Sequence, residues 1–156
     1  MIFTELLHLK TDTTNTGEGA LADFTSFPKQ TKFRRPGEIG NCFQYCVAAV
    51  LGLPPEEVPH FLEIAVGNNS NMFFDIQKWL NARDMWLLET THISFYRDGE
   101  MSTPLFIACG PSPRSQTMGQ HHAVVMQDYK MVYDPHPDET GLTAIKDYYL
   151  IFKPAA

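Results

Sequence analysis

Three side chains in this sequence, Cys42, His122 and Asp134, have the types and the placement that nucleophilic chemistry requires. Cys42 heads the run Gly40-Asn41-Cys42-Phe43-Gln44-Tyr45-Cys46-Val47-Ala48-Ala49-Val50-Leu51-Gly52-Leu53. Asn41 is a good helix N-cap, the apolar residues after it recur at helical spacing, and Gly52 closes the run, so Cys42 falls on the first turn of a buried helix. A thiol there faces the positive end of the helix dipole beside unpaired backbone N–H groups, which favours thiolate and makes a nucleophile. Cys46 and Cys109, embedded in apolar neighbours, read as structural thiols, because free cysteine packs as a small hydrophobe.

His122 enters a strand-like run, Ala123-Val124-Val125-Met126-Gln127, and Asp134 leaves the next one, with Asp128-Tyr129 as the tight connection between them. Counted six residues either side of Asp128, His122 and Asp134 fall at the same end of an antiparallel pair. A carboxylate there would hold the imidazole Nδ1–H, fix its tautomer and turn the ring toward the sulfur. Side chains alternate along a strand, so only one of His121 and His122 faces the helix. His122 is the one followed directly by Ala-Val-Val, and His121 is left as a solvent-facing residue or a substrate contact. An oxyanion would be met by the Cys42 N–H and by a side-chain amide. Gln30, on the arm before the helix, is the first choice, and Gln44, on the helix itself, is the second. The proline-stiffened segment Gly110-Pro111-Ser112-Pro113-Arg114-Ser115 is expected to wall the cleft, with Arg114 open to a substrate carboxylate.

These residues need elements to carry them. Residues 1–10 suit an edge strand or a short helix, and 11–40 form a long irregular arm with one short turn around 20–24. Prolines at 54 and 55 followed by Glu56 and Glu57 start a second helix over about 55–66, bent at Pro59, and 72–82 has the apolar spacing of a third. Short branched and aromatic runs at 85–90, 104–109, 123–127, 130–133 and 148–153 read as strands. Helices first and strands afterwards give an α+β fold, with N-terminal helices packed on a C-terminal antiparallel sheet. One domain spans 1–156, divided into the arm (1–40), a helical part (41–83) and a sheet part (84–156).

A net charge of −6, with Arg34-Arg35 as the only adjacent basic pair, argues against nucleic acid or an anionic membrane as the main partner. Glu5 stands where a signal peptide carries basic residues, and no apolar stretch approaches membrane-spanning length, so a cytoplasmic protein is expected. Three cysteines, an odd number, fit a reducing compartment. No cofactor or resident metal is called for. Zinc held by Cys42, Cys46 and the His121-His122 pair is a competing arrangement, with awkward geometry for residues one turn apart on a helix and adjacent on a strand.

Taken together, Cys42 opening a helix, His122 on a later strand and Asp134-Pro135 closing the next strand resemble the papain-like cysteine peptidase superfamily, most nearly the compact domains that process bacteriocin leaders. The wording Gly-Asn-Cys-Phe-Gln-Tyr-Cys, Leu-Pro-Pro-Glu-Glu-Val-Pro-His-Phe, Gly-Pro-Ser-Pro-Arg and Asp-Pro-His-Pro is also similar to small uncharacterised proteins of bacteria and their phages in that superfamily. The resemblance covers roughly 30–134. It implies a papain-like fold with the nucleophile at the start of a central helix, Cys42 as nucleophile, His122 as general base and acid, Asp134 as orienter and Gln30 as oxyanion donor. The chain departs from the bacteriocin-processing domains in carrying Phe43 where a small residue is usual and in placing Gln30 farther upstream. The expected activity is thiol hydrolysis of an amide or isopeptide bond through a thioester, on a peptide or other amide-containing substrate. Acyl transfer to an amine, as in transglutaminases, would use the same residues. The alternative from another class is a binding protein on a papain-like scaffold, such as a phage product that sequesters a host protein or a small ligand.

Overall fold

The computed structural model describes residues 21–92, 94, 96–97, 100–101, 103–115 and 119–155. The expectation for 1–10 lies outside the described residues. Within them the protein is α+β, with helices leading and an antiparallel sheet following.

Helix α1 spans Cys42–Leu51 and ends where expected, because Gly52 takes the left-handed conformation (φ 66°) that a side chain resists. Gly52 N–H then returns to Ala49 O and Leu53 N–H to Ala48 O, the paired closure that satisfies the last carbonyls. Five successive residues of α1, Tyr45 to Ala49, are buried. The second helix is broken rather than bent. Val58 is held extended (φ −102°, ψ 123°) by the proline that follows it, so a 3₁₀ turn at Pro55–Glu57 is separated from helix α2 at Phe61–Asn68. Helix α3, Met72–Asn81, is capped by Asn71, whose Oδ1 accepts from Phe73 N–H at 2.9 Å. Ile76 and Leu80 fix its docked face at 0% exposure, and burial of such side chains contributes about 1.5 to 3 kcal/mol each.

The main sheet contains β1 (Trp86–Thr90), β4 (Phe106–Gly110), β5 (His122–Gln127), β6 (Lys130–Tyr133) and β7 (Asp147–Phe152), in the order β1-β7-β4-β5-β6. Two short strands that the sequence reading did not foresee, β2 (Tyr96–Arg97) and β3 (Glu100–Met101), pair with each other. β4 starts two residues later than expected, past Pro104, which has no N–H to offer a ladder. The chain turns between β5 and β6 with both Asp128 (φ 50°) and Tyr129 (φ 58°) left-handed, the geometry of a two-residue hairpin whose twist matches its strands.

Helices and sheet enclose one core of α1 and α3 residues against Ile107, Ala123, Val125, Tyr149 and Ile151. A smaller cluster of Phe106, Ala108, Val124 and Leu150 covers the other face. The part of the arm at 21–40 is irregular as expected, though its turn falls at 24–27, closed by Phe27 N–H to Phe24 O. Phe24 and Phe27 pack their rings on Tyr133, and Tyr133 Oη donates to Pro28 O at 2.6 Å, which straps the arm to β6.

Candidate active site

α1 presents Cys42 at its tip, against β5. Asn41 does not cap the helix through its side chain. Its Oδ1 instead accepts from Lys32 N–H at 3.0 Å, and its Nδ2 donates to Thr31 Oγ1 at 3.2 Å. Asn41 N–H in turn donates to Lys32 O. Asn41, only 4% exposed, is therefore a clamp between arm and helix, and the N–H groups of the first turn are left without a side-chain cap beside the sulfur.

His122 opens β5 and is 8% exposed. Its Nε2 lies 2.7 Å from Asp134 Oδ1, and the ring lines the same cleft as Cys42, whose sulfur favours the imidazolium. With Nε2 engaged by the acid, Nδ1 is the nitrogen left for sulfur, the reverse of the assignment expected from sequence. The pairing is also not the symmetric one counted about Asp128. Gln127 faces Lys130, a shift between Val125 and Met126 makes Tyr133 the partner of Val125, and Asp134 lies one residue beyond β6. Its side chain, not its backbone register, reaches His122.

Asp134 is 2% exposed, and both of its oxygens are engaged. Oδ1 accepts from His136 N–H at 2.8 Å as well as from His122, and Oδ2 accepts from Gly141 N–H at 2.8 Å. Burial opposes its charge most strongly, yet the bond from His122 and the two backbone N–H bonds together hold the carboxyl below its ordinary range. For His122 burial likewise works against the cation, but the bond to Asp134, the Cys42 sulfur and the charges of both outweigh it and push the imidazole up to about 9. Burial pushes the Cys46 and Cys109 thiols well above the ordinary range, so neither resembles a nucleophile. The chain matches no family model, no curated protein and no solved structure. The chemistry of this site therefore rests on its own geometry.

The cleft over Cys42 has a volume of about 370 Å³. Cys42, Gln44, His121 and His122 are all at its walls. Three other expectations are corrected. Gln30 is buried outside the cleft lining, with Nε2 donating to Lys32 O at 2.8 Å, so its N–H serves the arm and not an oxyanion. Gln44 Nε2 donates to both Pro55 O (3.0 Å) and Val58 O (2.8 Å), which uses its two hydrogens. Arg114 is held on the 138–140 loop by Asp138 at 2.6 Å and by Thr140, and the 110–115 segment closes on itself, with Ser115 N–H donating to Ser112 O, away from the cleft lining. The oxyanion donors that remain are the backbone N–H groups at the tip of α1.

Sequence reasoning missed the opposite end of the cleft, formed by Phe43, Phe73, Glu89, Asp147 and Tyr149. A usable signal existed. Glu89 is in phase with Leu87, and Asp147 with Tyr149 and Ile151, so both acids fall on the face whose neighbours pack into the core. Among the described residues no group of three or more His, Cys, Asp or Glu side chains is arranged to hold a metal ion, and Cys46 is enclosed at 0% exposure, away from the cleft lining. No helix among them is long and apolar enough to cross a membrane.

Proposed function

We propose that the protein is a thiol hydrolase that cleaves an amide bond through Cys42, His122 and Asp134, on a papain-like arrangement of a helix-borne cysteine facing a sheet-borne histidine and acid. The observation that carries this reading is the His122 ring, bonded through Nε2 to a buried carboxylate and lining one cleft with Cys42, the one of the three thiols at a helix tip.

With His122 held at about 9, the ring carries a proton at neutral pH, and the sulfur faces a cation. The thiolate attacks the substrate carbonyl, and the oxyanion forms against the uncapped N–H groups of the first turn of α1. The C–N bond breaks as His122 gives its proton to the departing amine, leaving a thioester on Cys42. Water then enters. His122, now neutral, takes one of its protons, hydroxide attacks the thioester, and the carboxylic acid leaves as Cys42 regains its electron pair. Asp134 stays ionised throughout and keeps the ring aimed.

The reading is tested by alkylating the native protein with iodoacetamide and mapping the product. Cys42 is expected to react well ahead of Cys46 and Cys109, and Cys42→Ala to remove both labelling and hydrolysis while the fold, followed by circular dichroism, is kept. Equal reactivity of the three thiols in the folded protein would refute an activated Cys42.

A further inference from the structure

We propose that the substrate carries a cationic group, a lysine-type or arginine-type side chain flanking the scissile carbonyl, which seats on Glu89, Asp147 and Tyr149 at the end of the cleft away from His122. This rests on Cys42 being the nucleophile and specifies what that site accepts.

The register places the parts. Cys109 on β4 pairs with Ala123 on β5 and with Asp147 on β7, while Tyr149 on β7 pairs with Glu89 on β1. A row therefore runs from Ala123, the neighbour of His122, past Cys109 to Asp147, and Glu89 stands one strand farther, opposite Tyr149. Neighbouring strands are about 4.8 Å apart, so the acids lie two and three strand spacings, or about 10 to 14 Å, from the strand of the catalytic histidine. A lysine side chain of about 6 Å, carried on a residue that advances about 3.5 Å along an extended chain, reaches about 9.5 Å, as far as the strand of Asp147, and the Glu89 side chain leans toward that strand, with its Oε1 3.4 Å from Tyr149 Oη.

Among the described residues the cleft lining contains no Lys or Arg, and neither Glu89 nor Asp147 forms an ion pair. The bond found for Glu89 is a long one from Tyr149 Oη, at 3.4 Å. Glu89 is exposed and Asp147 half-buried, so both carboxylates stand open to an incoming cation. The wall beside them is aromatic: Phe73 and Tyr149 stack with ring centroids 5.1 Å apart at 8°, and Phe43 meets both edge-on. Such a surface packs a methylene stem and favours a cation near a ring face. An acidic side chain at the same position would meet two like charges.

The test uses three thiol-directed chloromethyl ketones of matched size, the Nα-blocked lysyl, norleucyl and glutamyl derivatives, and measures the rate at which each modifies Cys42 in the full chain. Two partly exposed charge contacts predict a lysyl rate about tenfold above norleucyl at low salt, with glutamyl slowest. Raising the ionic strength should shrink the lysyl advantage, because these charges face solvent. In the Glu89→Gln, Asp147→Asn double variant the lysyl-to-norleucyl ratio should fall to about two or below; if that variant does not fold, the ratio and its salt dependence in the unmodified protein decide. Equal lysyl and norleucyl rates in the unmodified protein, or a preference that survives in a folded double variant, overturn this inference alone. Failure of all three reagents to modify Cys42 overturns the nucleophile reading, and this inference with it.

Discussion

Asp134 and Gln30 lie on touching stretches of chain, joined by the 2.8 Å bond from Gln30 N–H to Pro135 O, yet their side chains are served in opposite ways. Both are buried, at 2% and 7% exposure. Asp134 has three partners, each bonding at 2.7 or 2.8 Å to one of its two oxygens. Gln30 has one, Lys32 O, and its Oε1 meets no donor among the described residues. Where both oxygens of a buried acid are held by short bonds, its position is fixed to the precision that chemistry needs. A buried group that is half satisfied is a strut, holding the arm while costing stability at its unpaired atom.

That contrast can be broken at either residue. Asp134→Ala should have the larger effect, about 3 to 5 kcal/mol of lost stability in urea unfolding, because it strands a buried imidazolium and two backbone N–H groups. The surviving protein should hydrolyse poorly, since nothing then aims the ring. A loss of less than about 1 kcal/mol would mean that the acid is replaceable by water and does not organise the site. Gln30→Met should have the smaller effect. It removes one bond and one orphaned acceptor, and Lys32 O keeps its bond from Asn41 N–H, so stability should change by no more than about 1 kcal/mol and turnover by no more than a few-fold. A drop in turnover of about 10² to 10³ at unchanged stability would restore Gln30 as an oxyanion donor that turns into the cleft on substrate binding.

Much of this was readable beforehand, and the reasons are local. Gly52 and Pro59 punctuate the helices by what their backbones permit or forbid, and the Asp128-Tyr129 turn set the pairing that brings His122 and Asp134 to one corner. What escaped was long-range or depended on a choice among equal local options. Asn41 has the chemistry of a cap, but its amide found the backbone of Lys32 instead, and nothing near it in sequence says so. Arg114 was free to meet a substrate only so long as the 138–140 loop was unplaced. The insertion of β7 between β1 and β4 is a pairing across 38 to 66 residues, which no local pattern encodes, and it is this insertion that carries Glu89 and Asp147 to the cleft. The shift opposite Val125 and Met126 likewise moved Asp134 off the register that simple counting assigned.

The most direct measurement is an NMR titration of the His122 ring in the intact protein. Its folded-state value is raised above the ordinary 6.5, so the stability that it contributes is fully present below about pH 6.5 and is lost as pH rises through about 9, where the proton needed by the leaving amine is lost too. A midpoint near 9 that falls in Cys42→Ala, together with hydrolysis declining over the same alkaline range, is the predicted result. A midpoint near 6.5 that is unmoved by removing the sulfur would mean that imidazole and thiol do not act as a pair.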